Sequence, residues 1–345
     1  MITDDLRKIG FMDLIERHRR FWKREPTDQP LVGTSREGVF FLQPFVELDL
    51  RDGPLAVQDI PSAEAFLPYY DKVLGGSPRD GDLFWVAKPP RAIPWMEAIA
   101  GCGVNATISS SILTAAPPAE LPDLEDIDLA ANPWLRLMNA FTETFSRHFS
   151  DLAPVGQTLM RGPSDMLAAM LGQQFYTGLV ENPERMKTLA RQCTELWIGA
   201  LEAQYKRLQR YRDGYMAGII GLWAPGTVAV YQEDAAGLIS ASMYRQFFFD
   251  CDAAIASAFD YSLLHLHSAS LHILNPVLEI PGLSAVNVVV DQVGPGLEVL
   301  IPKLQQIQQA GKALHLQGDL SEKVIKLIQE TLSPDGLCIS IVRED

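Results

Sequence analysis

The run Ser262-Leu263-Leu264-His265-Leu266-His267 is the clearest guide to the architecture of this chain. It is short and mostly apolar, as expected for a buried β-strand. Three similar runs follow, each starting roughly 25 residues after the last, which is the length of one strand plus a crossover helix. They are Ala285–Asp291, Ala313–Gln317 and Leu337–Ile341. This spacing predicts a parallel sheet.

The segments around these runs have the spacing of helices that cover a sheet. Leu297–Ala310 has apolar residues at i, i+3 and i+4 positions, and Ser321–Thr331 repeats the pattern. Upstream, Ser242 is a candidate N-cap for a helix over Met243–Phe259. The Asn-Pro-Glu start at position 182 predicts a long helix over Asn182–Arg210.

Three more strands are predicted, at Leu31–Thr34, Pro154–Leu159 and Tyr215–Trp223, and an eighth is expected between Val39 and Val104. Eight strands alternating with helices in a chain of 345 residues predict one (β/α)8 TIM barrel over residues 30–345. Residues 1–29 are expected to form an added helical segment. A Rossmann sheet is the rival architecture, but no strand is followed by GxGxxG and there is no P-loop.

Composition narrows the classes of partner. The formal charge of −14 repels phosphate backbones and anionic lipid surfaces, so a small-molecule substrate is expected rather than nucleic acid or membrane. The four cysteines form no CxxC pair, which favours a reducing cytoplasm over a disulfide framework. No apolar run approaches the ~18 residues that span a membrane, and the first residues do not resemble a signal peptide.

Several short motifs occur in the order of one known family. They are Glu25–Pro30, Pro154–Gly156 with Arg161–Asp165, Glu181–Glu184, Glu233-Asp234 with Ser240–Tyr244, and His265-Leu266-His267. Together they resemble the superfamily of uroporphyrinogen decarboxylases and zinc-dependent corrinoid methyltransferases. The resemblance runs from about residue 25 to the C-terminus. It implies a barrel with an N-terminal helical segment, commonly a homodimer, that acts on a tetrapyrrole or a methylated cofactor.

The chain departs from the decarboxylase branch after its first strand. That branch carries an Arg-Gln-Ala-Gly-Arg stretch, whose arginines hold substrate carboxylates through bidentate hydrogen bonds. Here the stretch is Gly33-Thr34-Ser35-Arg36-Glu37-Gly38, with a single arginine. The sequence therefore argues against uroporphyrinogen as the substrate.

The chain also departs from the methyltransferase branch, which uses zinc to lower the pKa of a thiol that then attacks a corrinoid-bound methyl group. The ligands in that branch are His-x-Cys and a second Cys after the last strand. His265 matches the pattern, but His267 replaces the first Cys, and Ile341–Asp345 lacks the second. These departures favour an oxygen-bearing methyl donor or acceptor over a thiol.

A metal site is one interpretation of His265 and His267. Alternate residues of a barrel strand face inward, so both imidazoles should point to the interior at the carboxyl end of the strand, where barrel enzymes have their sites. Zinc accepts imidazole, thiolate and carboxylate ligands. The candidates for further ligands are Asp234, Asp291, His315 and Cys338. The alternative, that both histidines are hydrogen-bonded core residues, remains open.

Other residues are candidates for catalysis or substrate binding. Glu233 and Asp234 are expected at the same mouth as a general acid or base. The proline-stiffened segment Lys88–Glu97 is expected to fold over a pocket. The candidate substrate-binding residues are Trp95, Trp223, Tyr231, Asn287 and Gln317. Each of the three aromatic residues could equally be core.

Three functions remain open at this point. The first is a corrinoid-linked methyltransferase for a small methylated compound, using zinc and a corrinoid carried by a partner protein. The second is a lyase that decarboxylates uroporphyrinogen-like or smaller carboxylic acids. The third is a non-catalytic binder of a tetrapyrrole or corrinoid.

Overall fold

A computed structural model describes residues 11–35, 52–76, 79–107, 112–150 and 153–342. The strands are β1 (Leu31–Ser35), β2 (Gly53–Leu55), β3 (Arg79–Asp80), β4 (Leu83–Phe84), β5 (Gly103–Thr107), β6 (Ile112–Ala116), β7 (Met160–Arg161), β8 (Tyr215–Ala217), β9 (Leu222–Ala224), β10 (Val228–Gln232), β11 (Tyr261–His267), β12 (Ala285–Val290), β13 (Ala313–Gly318) and β14 (Leu337–Val342). The α-helices are α1 (Phe11–Lys23), α2 (Ala63–Gly76), α3 (Trp95–Ile99), α4 (Pro133–Phe149), α5 (Pro163–Leu171), α6 (Gln174–Glu181), α7 (Pro183–Tyr205), α8 (Ala241–Phe247), α9 (Phe249–Ala258), α10 (Leu274–Leu278), α11 (Leu297–Gln309) and α12 (Glu322–Thr331).

The centre of the fold is a seven-stranded sheet with the order β1-β14-β13-β12-β11-β10-β7. Every neighbouring pair in it is parallel. The sequence-based predictions of a parallel sheet and of its four C-terminal strands are confirmed. The register aligns His265 with Asn287, Asn287 with His315, and His315 with Cys338. Polar residues on adjacent strands therefore lie at matching levels.

The two faces of the sheet have different surroundings. Leu264 and Leu266 pack into a large core that includes residues of the covering helices, among them Leu300 and Leu304 of α11. Leu263, two residues before His265, belongs instead to a separate apolar cluster on the other face of the sheet. This cluster consists mainly of strand residues, such as Val230 and Ala285. His265 and His267 alternate with the outward leucines and so share the face of Leu263.

The predicted strand Tyr215–Trp223 is wrong. This segment folds back on itself as the antiparallel pair β8 and β9, whose turn includes Gly221 with a φ of +68°. The strand of the parallel sheet is the next apolar run, β10, which pairs with β11 and β7. As a result, Glu233 and Asp234 directly follow a strand of the main sheet.

The predicted helices are mostly confirmed, with shifts at their ends and one break: the helix predicted over Met243–Phe259 is divided at Phe248 into α8 and α9. Helices α11 and α12 match the predictions closely, and the hydroxyl of Ser321 caps α12. The cap of α8 is Ser240 rather than Ser242, because the Ser240 hydroxyl accepts from the Met243 N–H. Helix α7 starts as predicted after Asn182 but ends at Tyr205, ahead of Arg210.

The expected eighth strand falls in a region of several short elements, and residues 36–51, which include Arg36, lie outside the described part of the chain. Strands β2, β5 and β6 form a small antiparallel sheet. The segment 82–87 makes backbone hydrogen bonds to β1 and to the stretch that precedes β7: Asp82 N–H donates to Val32 O (2.8 Å), and Ala87 N–H donates to Pro154 O (2.9 Å).

Lys88–Glu97 does not fold as the expected cover over a pocket. Its last residues begin α3, in which all five residues are buried. The indole N–H of Trp95 donates to Pro90 O (2.9 Å), and the ring packs against Phe141. Most of this segment is therefore packed in the hydrophobic core, while Glu97 at its end lines a cavity.

Helix α1 packs where strands of the main sheet begin, because Phe21 and Trp22 share an apolar cluster with the first residues of β1, β10, β12 and β13. Leu14 and Ile15 join a cluster with Phe84 and Trp223, while the Trp22 indole donates to Trp223 O (2.7 Å). The helix is thus held to the sheet region by apolar contacts and directional hydrogen bonds.

Candidate metal centre and the adjoining cavity

Three possible metal ligands converge where β10 and β11 end. Asp234, His265 and His267 each offer one donor atom, and these atoms all lie within 4.8 Å of one another. His267 Nε2 is 3.9 Å from Asp234 Oδ1. The side chains of His267 and Asp234 are 40% and 43% exposed, so a molecule in solution can reach them. The spacing would need to contract only modestly for the three atoms to share one ion.

Asp291 orients His267 from the loop after β12. The Nδ1–H of His267 donates to Asp291 Oδ1 (2.6 Å), and the Ser268 hydroxyl donates to Asp291 Oδ2 (2.8 Å). Partial burial acts to raise the pKa of Asp291, but the bonds from His267 and Ser268 outweigh it, and the net pKa is lowered. With Nδ1 as the donor, the neutral ring carries its lone pair on Nε2, the atom that faces Asp234.

Asn287 plays the same part for His265. The Nδ1–H of His265 donates to Asn287 Oδ1, and Asn287 Nδ2 donates in turn to His315 Nδ1 (2.9 Å) and His315 O (3.1 Å). This chain fixes the His265 tautomer with its lone pair on Nε2. Asn287 and His315 are completely buried, so they hold the His265 ring from inside the protein.

Gln232 holds the third candidate ligand. As the last residue of β10, it donates from Nε2 to Asp234 Oδ2 (2.7 Å), which leaves Oδ1 facing His267. Gln232 is not recognisable as a site residue from the sequence, because the apolar pattern predicts the strand at Tyr215–Trp223, ahead of it. Once β10 is known, the position at the strand's carboxyl end marks it as a candidate.

An open cavity of about 280 Å³ adjoins the Asp234 side of this cluster. Its polar wall consists of Glu97, Arg161, Asp165 and Asp234, and its apolar wall is Leu113, Ala115, Ala168 and Ala169, with Thr114 between. Arg161 Nη1 donates to Glu97 Oε1 (2.7 Å), and Glu97 is almost fully buried. Sequence reasoning missed all three polar residues Glu97, Arg161 and Asp165 as site residues, although Arg161 and Asp165 belong to a motif it quoted.

Asp165 is the most perturbed acid of the cavity. Burial and the nearby carboxylate of Asp234 raise its pKa to about 8. Its Oδ1 accepts from the Ala235 N–H (2.7 Å), while Oδ2 is buried without a hydrogen bond among the described residues. A carboxyl group with this pKa can hold or release a proton near neutral pH.

Glu233, predicted as a catalytic residue, lies beneath the site rather than in the cavity. It is buried, its Oε2 accepts from the Ser164 N–H (2.8 Å) at the start of α5, and it neighbours Asp252. Burial and the charges of Asp252 and Asp165 raise the pKa of Glu233 well above its usual range. Tyr244 donates to Asp252 on the far side. These contacts link the loop after β10 to α5 and α9.

The three aromatic candidates are core residues, so the prediction that they bind substrate is not supported by their positions. Trp95, Trp223 and Tyr231 are each at most 1% exposed. Trp223 packs against α1, remote from the strand ends that carry the histidines, and its indole donates to Tyr211 O (2.7 Å). The Tyr231 ring packs against Trp197.

The two remaining candidates, Cys338 and Gln317, lie on β14 and β13. Cys338 is buried in the apolar cluster with Leu263, where burial raises its thiol pKa well above the usual value, so it is not among the converging donors. Cys338 is in register with His315, and its neighbours are apolar residues of this cluster rather than the donor atoms of Asp234, His265 and His267. Gln317 is buried one inward position beyond His315, at the level of Val289.

Comparison with known proteins found no match, either among protein-family models or among curated proteins. Within the described residues, no helix is long and apolar enough to cross a membrane.

Proposed function

We propose that this protein is a zinc-dependent enzyme that transfers a methyl group between a small oxygen-bearing compound and a corrinoid carried by a partner protein. The observation that carries the proposal is the convergence of Asp234, His265 and His267 donor atoms within 4.8 Å at the ends of β10 and β11. Two imidazoles and one carboxylate form a known ligand set of catalytic zinc, which keeps a further position open for substrate.

The surroundings of the three residues fit a metal. Metal-binding histidines usually donate their other ring N–H to a carboxylate or a carbonyl oxygen. His267 does so to Asp291, and His265 does so to the amide oxygen of Asn287. In its neutral form each histidine therefore offers Nε2 as the atom that can bind zinc.

When bound, zinc supplies Lewis acidity, which activates an oxygen at the open position without the need for a thiol. The protein's own residues orient the three ligand side chains. Gln232 directs Asp234 Oδ1 toward His267, and Asp291 limits the rotation of the His267 ring. The exposure of Asp234 and His267 leaves the mouth accessible to a bulky group presented by another protein.

The scaffold that we infer for this chemistry is a closed eight-stranded barrel. Residues 82–87 and 154–161 would bridge β1 and β10, an inference supported by the bonds from Asp82 to Val32 and between Ala87 and Pro154–Gly156. Gln157 adds a side-chain bridge, since its amide exchanges two hydrogen bonds with the Val230 backbone (2.6 and 3.0 Å). If the barrel is closed, the amides of Asp82, Ala87 and Gly156 should exchange with solvent as slowly as those of β12; fast exchange would contradict closure.

The activity test uses free methylcobalamin as a stand-in for the partner's corrinoid. Zinc-loaded protein is mixed with methylcobalamin and a panel of small alcohols and thiols, and loss of the methyl group is followed by absorbance. We expect turnover with an alcohol, abolition by EDTA, and recovery with zinc. His267→Ala should be inactive, whereas His272→Ala, outside the ligand set, should remain active. Zinc-independent turnover, or transfer to thiols alone, would contradict the proposal.

A second candidate is a lyase that decarboxylates a small acid, and it is favoured by the Arg161 guanidinium beside the buried Asp165 in one cavity. Release of CO2 from small carboxylic acids without added corrinoid would support this candidate over methyl transfer. We expect no conversion of uroporphyrinogen, because a single guanidinium lines the cavity within the described residues, and that substrate carries many carboxylates.

A further inference from the structure

The Arg161 side chain has the features of a preorganised anion-binding group. It lines the cavity beside Asp234, and its Nη1 is held by Glu97 Oε1 at 2.7 Å. Among the described residues its other N–H groups make no hydrogen bond, and the side chain is 30% exposed. A guanidinium fixed on one side by a buried acid presents its remaining donors in a rigid fork, which matches a carboxylate.

Asp165 lies on the same cavity wall as Arg161. Its Oδ1 is occupied by the Ala235 N–H, so Oδ2 is the oxygen left without a hydrogen bond in the described part of the chain. Oδ2 is itself enclosed by surrounding atoms, so Arg161, whose side chain is 30% exposed, is the polar group of this wall that a ligand in the cavity can reach.

We propose that this cavity binds the carboxylate of a small acid, held by Arg161, while the acid's oxygen-bearing other end extends to Asp234, His265 and His267. This inference rests on the proposed function for the role of that other end. It names the substrate class of the same site as small hydroxy- or alkoxy-carboxylic acids.

The sheet sets the reach of such a ligand. Arg161 is in register with Gln232, and Gln232 is in register with His265, so two interstrand spacings separate the Arg161 and His265 backbones. At ~4.8 Å per spacing this is roughly 10 Å, and side chains from both ends shorten it. A cavity of about 280 Å³ with alanine walls also suits a compact acid rather than a tetrapyrrole.

The test measures binding to EDTA-treated protein, so that it does not depend on a metal. Propionate is the anionic probe and ethylammonium the cationic one, and ligand-observed NMR gives the dissociation constants. The double variant Arg161→Gln with Glu97→Gln removes the guanidinium without leaving a buried carboxylate unpaired. Arg245→Gln is the matched control, since it removes an exposed Arg–Glu pair with Glu279 (2.7 Å).

We expect propionate to bind the parent and Arg245→Gln equally, and to bind the double variant at least roughly tenfold more weakly, as for the loss of a charge-assisted hydrogen bond. Asp165→Asn should keep or strengthen propionate binding. The inference is overturned if the double variant binds propionate as tightly as the parent, or if the parent does not bind propionate. It is also overturned if the parent prefers ethylammonium and Asp165→Asn abolishes that preference.

Zinc binding by the same proteins separates the two proposals. A double variant that binds zinc like the parent but has lost propionate binding is folded and supports the carboxylate site. A parent that binds zinc but no carboxylate refutes the substrate inference alone. A parent that binds propionate through Arg161 but no zinc refutes the proposed function alone.

Discussion

Acidification should destabilise the protein through His18, a fully buried residue of α1. Its Nε2–H donates to Asp82 O (2.7 Å), and its Nδ1 accepts from the Trp223 N–H (3.0 Å), so both ring nitrogens are occupied by one neutral tautomer. Burial lowers the pKa of His18 to about 4, the bond to Asp82 offsets this in part, and the charge of Arg17 lowers it further. A proton on Nδ1 would also break the bond to Trp223.

The sign and size of the effect follow from linkage. Between pH 6.5 and about pH 4 the unfolded chain binds a proton at His18 that the folded protein does not. The unfolding free energy therefore falls as the pH falls through this window, and is unaffected by His18 above it. The pKa difference corresponds to a loss of about 3 kcal/mol across the window.

The assay is urea unfolding at pH 7 and pH 4.5 for the parent and for His18→Gln, whose amide can make both hydrogen bonds but does not titrate. We expect the parent to lose about 2–3 kcal/mol more than the variant on acidification. Asp165 and Asp252, with pKa values raised to about 8 and about 7 mainly by burial, act in the opposite direction but equally in both proteins. Equal losses in the two proteins would refute the role assigned to His18.

Four further outcomes are expected. Gly162→Ala should lower the unfolding free energy by about 1–3 kcal/mol in urea titrations, since its Cβ would lie 2.0 Å from Glu233 Oε1; unchanged stability would contradict the packing. Glu233→Gln should become more stable relative to the parent as the pH rises from 5 to 8. The pKa of Glu233 is higher in the folded protein than in the unfolded chain, so the unfolding free energy of the parent falls as the pH rises above the unfolded-state pKa, whereas glutamine does not titrate. Parallel pH profiles of the two proteins would be evidence against this. Asp291→Asn should weaken zinc binding roughly 10- to 100-fold in chelator competition, because His267 loses its carboxylate partner; equal affinity would exclude that role. Trp95→Ala should cost about 3–5 kcal/mol as a core truncation while a folded sample keeps its zinc affinity.

The sequence predicted the C-terminal strands well because each buried strand is an uninterrupted apolar run flanked by an amphipathic helix. The period of two along β11 also predicted that His265 and His267 share a face. The strand prediction at Tyr215–Trp223 was wrong because a short apolar hairpin and a short buried strand have the same composition. Only the pairing partners, β11 and β7 for β10, distinguish them.

The cavity could not be predicted from local sequence patterns, because its polar contacts join residues that are far apart in the sequence. Arg161 meets Glu97 across 64 positions of sequence, and Asp165 meets Ala235 across 70, so no local spacing predicts these contacts. Trp95 illustrates the converse limit: an aromatic residue in a proline-rich segment fits a binding surface or a core equally well until its neighbours are known.

The zinc content of protein purified without a polyhistidine tag or added metal is the sharpest test of the site formed by Asp234, His265 and His267. Elemental analysis, followed by zinc titration of the chelator-treated sample, is applied to the parent and to His265→Ala, His267→Ala and Asp234→Asn, with His272→Ala as control. We predict about one zinc per chain in the parent and the control, and its loss in the other three. A parent that binds no zinc, or ligand variants that bind it as tightly as the parent, would contradict the proposed site.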